Sequence, residues 1–271
     1  MHGSNGPPTS TRPTLAKQRG IYLERAAPEA LTAHVACLWS HHMPEGPPVP
    51  MAVVPDGCVD ILWSQHGLVV AGPDRTAAFP VIAPGTTVVG LRFRPGVAAS
   101  FLRTSLSDMT GQVVPLDAFW GKTGRELDAR LREAPDASHR TEILAEAVLQ
   151  RLSSVVPPPD DVAACLAHLR QNQGAPDNPI HALAAATGTS ERTLRRRCHE
   201  HFGYGAKTLD RILRLQRFLK ACRSEPSLTL GTLALEAGYA DQAHLSREAR
   251  ELTSLSPAEI RRQLGGHRRA A

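Results

Sequence analysis

In the first third of the chain the apolar residues come in short runs, at 35–39, 51–54, 58–63, 68–71 and 88–93. Between them lie turn-forming clusters: Pro44-Glu45-Gly46-Pro47-Pro48, Pro55-Asp56-Gly57, Gly72-Pro73-Asp74 and Pro84-Gly85. Short apolar runs punctuated in this way predict the strands of a small barrel or sandwich, with hairpins and corners at the breakers. After Arg94-Pro95-Gly96 the period changes. Val97, Phe101 and Leu102 predict a short helix, Leu127 and Leu131 a second, and Ile143, Leu144, Ala147, Val148 and Leu152 a third with one buried face. Pro157-Pro158-Pro159 can neither continue a helix nor donate to a sheet, whereas Asp160-Asp161 beyond them can cap a new helix. The pattern therefore predicts an α+β chain with a β-rich domain and trailing helices at 21–155, a Pro-rich linker at 156–160 and an all-α domain at 161–264. Polar, proline-bearing composition at 1–20 predicts a disordered arm, and 265–271 forms a basic tail.

Within the helical domain the sequence repeats. Ala184-Ala185-Ala186-Thr187-Gly188 is followed by Ser190 and Leu194, and Ala234-Leu235-Glu236-Ala237-Gly238 by Asp241 and Leu245. A small Ala lets two helices cross closely, Gly accepts the positive φ of a tight turn, and Ser or Asp starts the next helix as its N-cap. This is helix-turn-helix chemistry, present twice. On the second helix of the first copy, Leu194, Cys198 and His201 share one side, while Arg192, Arg195, Arg196 and His199 occupy the other, with no carboxylate expected on that stripe. In the second copy Leu245, Ala249 and Leu252 face inward, and Ala243, Ser246, Arg247 and Arg250 outward. Between the copies, Leu209, Ile212, Leu213, Leu215, Leu219 and Cys222 pattern one continuous helix. At ~1.5 Å per residue it forms a rod of roughly 27 Å, of the order of the ~34 Å between successive major grooves on one face of DNA.

Charge sharpens this picture. Of the net +5, none lies before residue 160, where fourteen basic side chains meet fourteen acidic ones; seventeen and twelve follow. A neutral body carrying a basic module suggests a polyanionic partner, and the planar fork of Arg suits guanine or phosphate. Basic stripes are also common as merely solvated helix faces, so the weight rests on the repeat. No apolar run approaches the ~18 residues of a membrane span, and the first twenty residues lack the apolar core of a signal peptide. Five scattered cysteines without a metal-ligand spacing indicate a reducing cytoplasm.

The stretch Gly238-Tyr239-Ala240-Asp241-Gln242-Ala243-His244-Leu245-Ser246-Arg247-Glu248-Ala249-Arg250, followed by Ser256-Pro257 and Ile260-Arg261, resembles the DNA-binding domain of AraC/XylS-type transcriptional regulators. The resemblance covers residues 161–264 and departs from the family pattern at Leu245, Ala249 and Ile260, where aromatic residues are usual, and at Ser254, which replaces Gly. Smaller core residues there predict a looser second unit. By matched position it implies base reading by Arg192, Arg195 and Arg196 and by Gln242, Ala243, Ser246 and Arg247. Arg250 falls on phosphate, and Ser190, Thr193, His199 and His244 are further DNA-binding candidates. Arg197, on the flank, reads equally well as a structural ion-pair partner.

A fainter resemblance, carried by Leu38-Trp39, by 55–61 and by 89–96, links the first domain to a β-rich, cupin-like sensor domain found ahead of such modules. Asp60, Arg92 and Arg94 alternate along predicted strands as effector-binding candidates, with cross-strand ion pairing an equal account. Cys58 reads mainly as a small buried residue, and adjacent His41 and His42 point to opposite faces, which disfavours a metal cluster. No nucleophile elbow, phosphate-cradling glycine loop or H-E-x-x-H is present, so no catalytic residue, metal or cofactor is expected. The implied protein is a sequence-specific regulator binding double-stranded DNA, with a small-molecule effector, a homodimer and RNA polymerase as further partners. The alternative is a DNA-targeted enzyme or repair protein with a catalytic N-terminal domain.

Overall fold

A computed structural model describes residues 13–47, 49–171 and 179–265. The N-terminal domain carries β1 (Thr14–Leu15), β2 (Ile21–Arg25), β3 (Val35–His42), β4 (Met51–Ala52), β5 (Asp60–Ser64), β6 (Gly67–Ala71), β7 (Thr87–Phe93) and β8 (Val113–Pro115). Six of these form one antiparallel sheet in the order β2-β3-β7-β5-β6-β8, and β1 pairs in parallel with β4. The barrel or sandwich expected from turn spacing thus takes the form of a sheet whose end strands, β2 and β8, do not pair with each other. Gly90 faces Trp39 across the β3–β7 ladder, and a Cβ there would lie 2.4 Å from the indole ring, so the missing side chain is what lets the ring lie over β7.

Helices α1 (Ala98–Leu102), α2 (Asp117–Trp120), α3 (Lys122–Glu133) and α4 (Ala137–Arg151) follow, where the change of period places all but the short α2. Leu127, Leu131, Leu144 and Val148 bury the faces of α3 and α4 in one core with Val70 and Leu91 of the sheet.

The C-terminal domain consists of α5 (Asp160–Gln171), α6 (Pro179–Thr187), α7 (Glu191–Phe202), α8 (Ala206–Ser224), α9 (Leu230–Glu236), α10 (Gln242–Thr253) and α11 (Pro257–Gly265). Two cores form around opposite ends of α8. One gathers Val162, Leu183, Leu194, Cys198, Phe202 and Leu209, the other Leu219, Leu233, Leu245, Ala249, Leu252 and Ile260.

The arm departs from expectation. Residues 13–20 are ordered, because Leu15 is buried in the second of these cores and Thr14–Leu15 gain strand partners in β4. Residues 1–12 and the end of the basic tail, 266–271, lie outside the described residues. The domains are therefore tied together. Leu15 N donates to Gln263 Oε1 at 2.7 Å while Gln263 Nε2 donates to Pro13 O at 3.2 Å. Ala77 N donates to Leu252 O (2.7 Å), Gln216 Nε2 to Pro55 O (2.7 Å) and the Thr110 hydroxyl to Gly203 O (2.9 Å).

Candidate nucleic-acid interface

Each helix-turn-helix is built from the residues that the repeat singles out. Gly188 and Gly238 sit at φ +64° and +90°, as the turns demand. Ser190 Oγ accepts from Thr193 N at 3.2 Å and Asp241 Oδ1 from His244 N at 2.6 Å, so α7 and α10 start on matching side-chain caps. Between the units α8 runs for 19 residues, roughly 28 Å at ~1.5 Å per residue. Leu194, Cys198, His201 and Phe202 turn the inner face of α7 into the first core, and Leu245, Ala249 and Leu252 do the same for α10.

The outward faces follow by elimination. Arg192, Arg195, Arg196 and His199 are exposed on α7, as are Gln242, Ala243, Arg247 and Arg250 on α10; Ser246 is half-buried. The α7 stripe differs from expectation in one respect. Arg195 pairs with Glu191 at 3.0 Å and Arg196 with Glu200 at 3.3 Å, each one helical turn away, so carboxylates do flank it. Hydrogen bonds from His181 and then Arg195 hold the Glu191 carboxyl below its usual range. Pairs this exposed are weak and screened by salt, so a phosphate or guanine can displace the glutamate. Arg192, Arg247 and Arg250 have no ion pair among the described residues.

The remaining candidates are more internal. The Thr193 hydroxyl lies 3.0 Å from Ser190 Oγ, within the cap. His244 is drawn inward: its ring lies 3.5 Å from Glu248 and edge-on to Tyr239, and it accepts from Ala240 N at 3.4 Å. Glu248, buried, is in turn held by Arg211 at 2.9 Å, which explains why this histidine serves the unit's interior rather than the outward stripe. Arg197 is the ion-pair partner of the buried Asp161.

Two family models match the chain, one a helix-turn-helix domain over residues 183–263, the other a domain of unknown function, DUF6597, over residues 23–115. Residues 183–263 thus carry a helix-turn-helix domain of the AraC type. It is 27% identical over 186 residues to the HTH-type transcriptional regulator GlxA of Rhizobium meliloti (strain 1021), a match covering 68% of this chain and 57% of that one. The chain thus spans little more than half of that relative's length. Among solved structures, ToxT from Vibrio cholerae O395 is 11% identical with a TM-score of 0.45, covering 84% of this chain and 98% of that one. The C-terminal domain of AraT from Geobacillus stearothermophilus is 19% identical with a TM-score of 0.36, over 39% and 86%.

The N-terminal candidates do not form one set. Asp60 and Arg92 are directly opposed across β5 and β7, and Arg92 grips both oxygens of Asp60 at 3.0 and 2.9 Å. Asp56 adds a third contact at 3.2 Å and accepts from Cys58 N in a tight turn. Burial would strip the Arg92 charge, but Asp60 and Asp56 outweigh it and hold the guanidinium strongly protonated. The Cys58 thiol goes up, by burial first and Asp56 second. Arg94 stands apart: it is exposed and donates to Thr32 O at 2.6 Å. His41 bonds to Arg19 O and His42 to Thr87, on opposite faces of β3.

The residue-type reading missed Arg262. With Arg250, Ser254, Ser256 and Glu259 it lines a polar cleft of about 500 Å³ between α10 and α11. Its signal was present in Ser256-x-x-Glu259, a capping box that starts α11 and sets the register of Arg262.

Proposed function

We propose that the protein is a sequence-specific, DNA-binding transcriptional regulator that inserts α7 and α10 into adjacent major grooves of one duplex and acts without catalysis. The observation that carries this reading is the pair of side-chain-capped helix-turn-helix units, each turning an arginine-bearing face outward, at the two ends of α8. Arg192, Arg195 and Arg196 read bases from the first unit, and Gln242, Ala243, Ser246 and Arg247 from the second, with Ser190 and His199 at the margins and Arg250 on phosphate. The N-terminal domain controls this step through its packing on both units, since its hydrogen bonds reach the C-terminal ends of α7 and α10. Asp60 and Arg92 are the residues through which an anionic effector acts, by competing for the guanidinium. A cytoplasmic location, a homodimer and a contact with RNA polymerase belong to the same reading.

Selection of bound duplexes from a random pool by the full chain tests it. The expected result is a bipartite motif with half-sites about 10 to 10.5 base pairs apart. A pool with no enriched motif would end the reading.

A further inference from the structure

A crevice of about 380 Å³ lies where the N-terminal domain meets both DNA-reading units. One wall is the strap after β6, with Asp74, Arg75 and Thr76; the other is the turn carrying Ser107 and Thr110. Each wall is bonded to a different reading helix. Ala77 N, on the strap, donates to Leu252 O in the last turn of α10, and the Thr110 hydroxyl donates to Gly203 O at the end of α7. Gly111 N donates to Pro73 O at 3.1 Å, joining the walls to each other.

The chemistry of the lining is mixed in a definite way. Asp74 is largely withdrawn from water and has no hydrogen bond or ion pair among the described residues. Burial first, then the carboxylates of Asp56 and Asp60, push its pKa up to about 7. Arg92, the buried cation of this region, is already committed to Asp60 and Asp56 and does not pair with Asp74. Arg75, its neighbour in sequence, is exposed and likewise unpaired among the described residues. Nearby, the Tyr204 hydroxyl is buried with no hydrogen-bond partner among the described residues and feels both Asp74 and Arg75.

We propose that this crevice binds a small zwitterion of the free amino acid class, its ammonium against Asp74, its carboxylate against Arg75, and the hydroxyls of Thr76 and Ser107 completing the polar contacts. An ammonium supplies the cation that Asp74 lacks, and a carboxylate the anion that Arg75 lacks. A molecule seated there touches both walls and so bears on the placement of α7 relative to α10. In that regulatory role the inference rests on the DNA-binding reading, whereas binding itself does not.

The test uses the full chain and the twenty common amino acids, added singly at up to millimolar concentration and followed by titration calorimetry at pH 8 without DNA. At least one is expected to bind saturably, with affinity reduced at least tenfold in both Asp74→Asn and Arg75→Ala. The groups facing Asp74 are Asp56, Asp60, Arg75 and Tyr204. With the Asp74 carboxyl raised to about 7, ammonium affinity falls roughly tenfold per pH unit below pH 7 in the native protein and stays flat in Asp74→Asn. No binding by any of the twenty, or binding indifferent to both substitutions, overturns the site. Binding without a change in the affinity for selected duplexes keeps the site and removes its regulatory role.

Discussion

The two helix-turn-helix units share a turn, a cap and a basic outer face, yet they are completed differently. The first closes its core with residues of its own, Val162, Leu183, Leu194, Phe202 and Leu209. Its ties to the N-terminal domain are the bond to Gly203, the His201 ring 3.2 Å from Gly96 O, and the close packing of Gly96 on Phe202 and Val162 and of Gly57 on Leu209. The second unit takes Leu15 into its core and has Val54 packed against it, both from the N-terminal domain, and Gln263 clasps the backbone of Pro13 and Leu15. Leu245 and Ala249, smaller than the family pattern, are nonetheless fully buried within that shared core. One unit thus forms its core from its own side chains with the N-terminal domain packed against it, whereas the other takes into its core a side chain from more than two hundred residues away. A rearrangement of the N-terminal domain would reposition the first unit and would alter the packing of the second.

Leu15→Ala breaks this asymmetry most directly. Truncating a buried leucine costs about 2 to 5 kcal/mol, and the loss should be localised. Faster amide exchange is expected in α10 and α11, with α7 unchanged. Equal acceleration in both units would mean that they share one cooperative core and that the contrast is false.

Next in size is Arg196→Ala. If Arg196 leaves Glu200 for guanine, its removal costs about 1 to 3 kcal/mol on the selected site and little on random duplex. Equal losses on both would reassign it to phosphate. Gln263→Ala follows, with about 1 kcal/mol for each of two side-chain bonds to backbone. Chemical denaturation of the full chain measures it, and a null result would leave Leu15 as the whole of the attachment.

The local chemistry of this asymmetry was legible in the sequence, but its long-range half was not. Gly188, Ser190, Gly238 and Asp241 each act on their own turn, so their roles follow from residue type and spacing. The triple proline and Asp160 mark the start of α5 for the same reason. The pairs Glu191–Arg195 and Arg196–Glu200 run against the carboxylate-free stripe expected there, although four-residue spacing on a helix is what brings such chains together. By contrast, the burial of Leu15 depends on β1 meeting β4 and then α11, and nothing in a polar, proline-bearing segment announces partners so far along the chain. Asp60 and Arg92 illustrate the same limit. Their alternation along strands was visible, but the pairing of β5 with β7, which makes them neighbours and leaves Arg94 outside, is a property of sheet order.

Arg250→Ala separates attraction from reading. Arg250 is exposed, unpaired among the described residues, and stands with Arg262 in the cleft between α10 and α11, away from the start of its helix where Gln242 and Ala243 lie. In the proposed reading a guanidinium so placed meets a phosphate, which is the same on every sequence. Its loss should weaken selected and random duplexes by a similar factor and lower the slope of log affinity against log salt by about one. Arg262→Ala should do the same if the cleft grips one phosphate between two arginines, and the double variant should then lose less than the sum of the single losses. A sequence-dependent effect at Arg250 would instead bring this end of α10 down to the bases, extending the second unit's reading surface beyond that of the first.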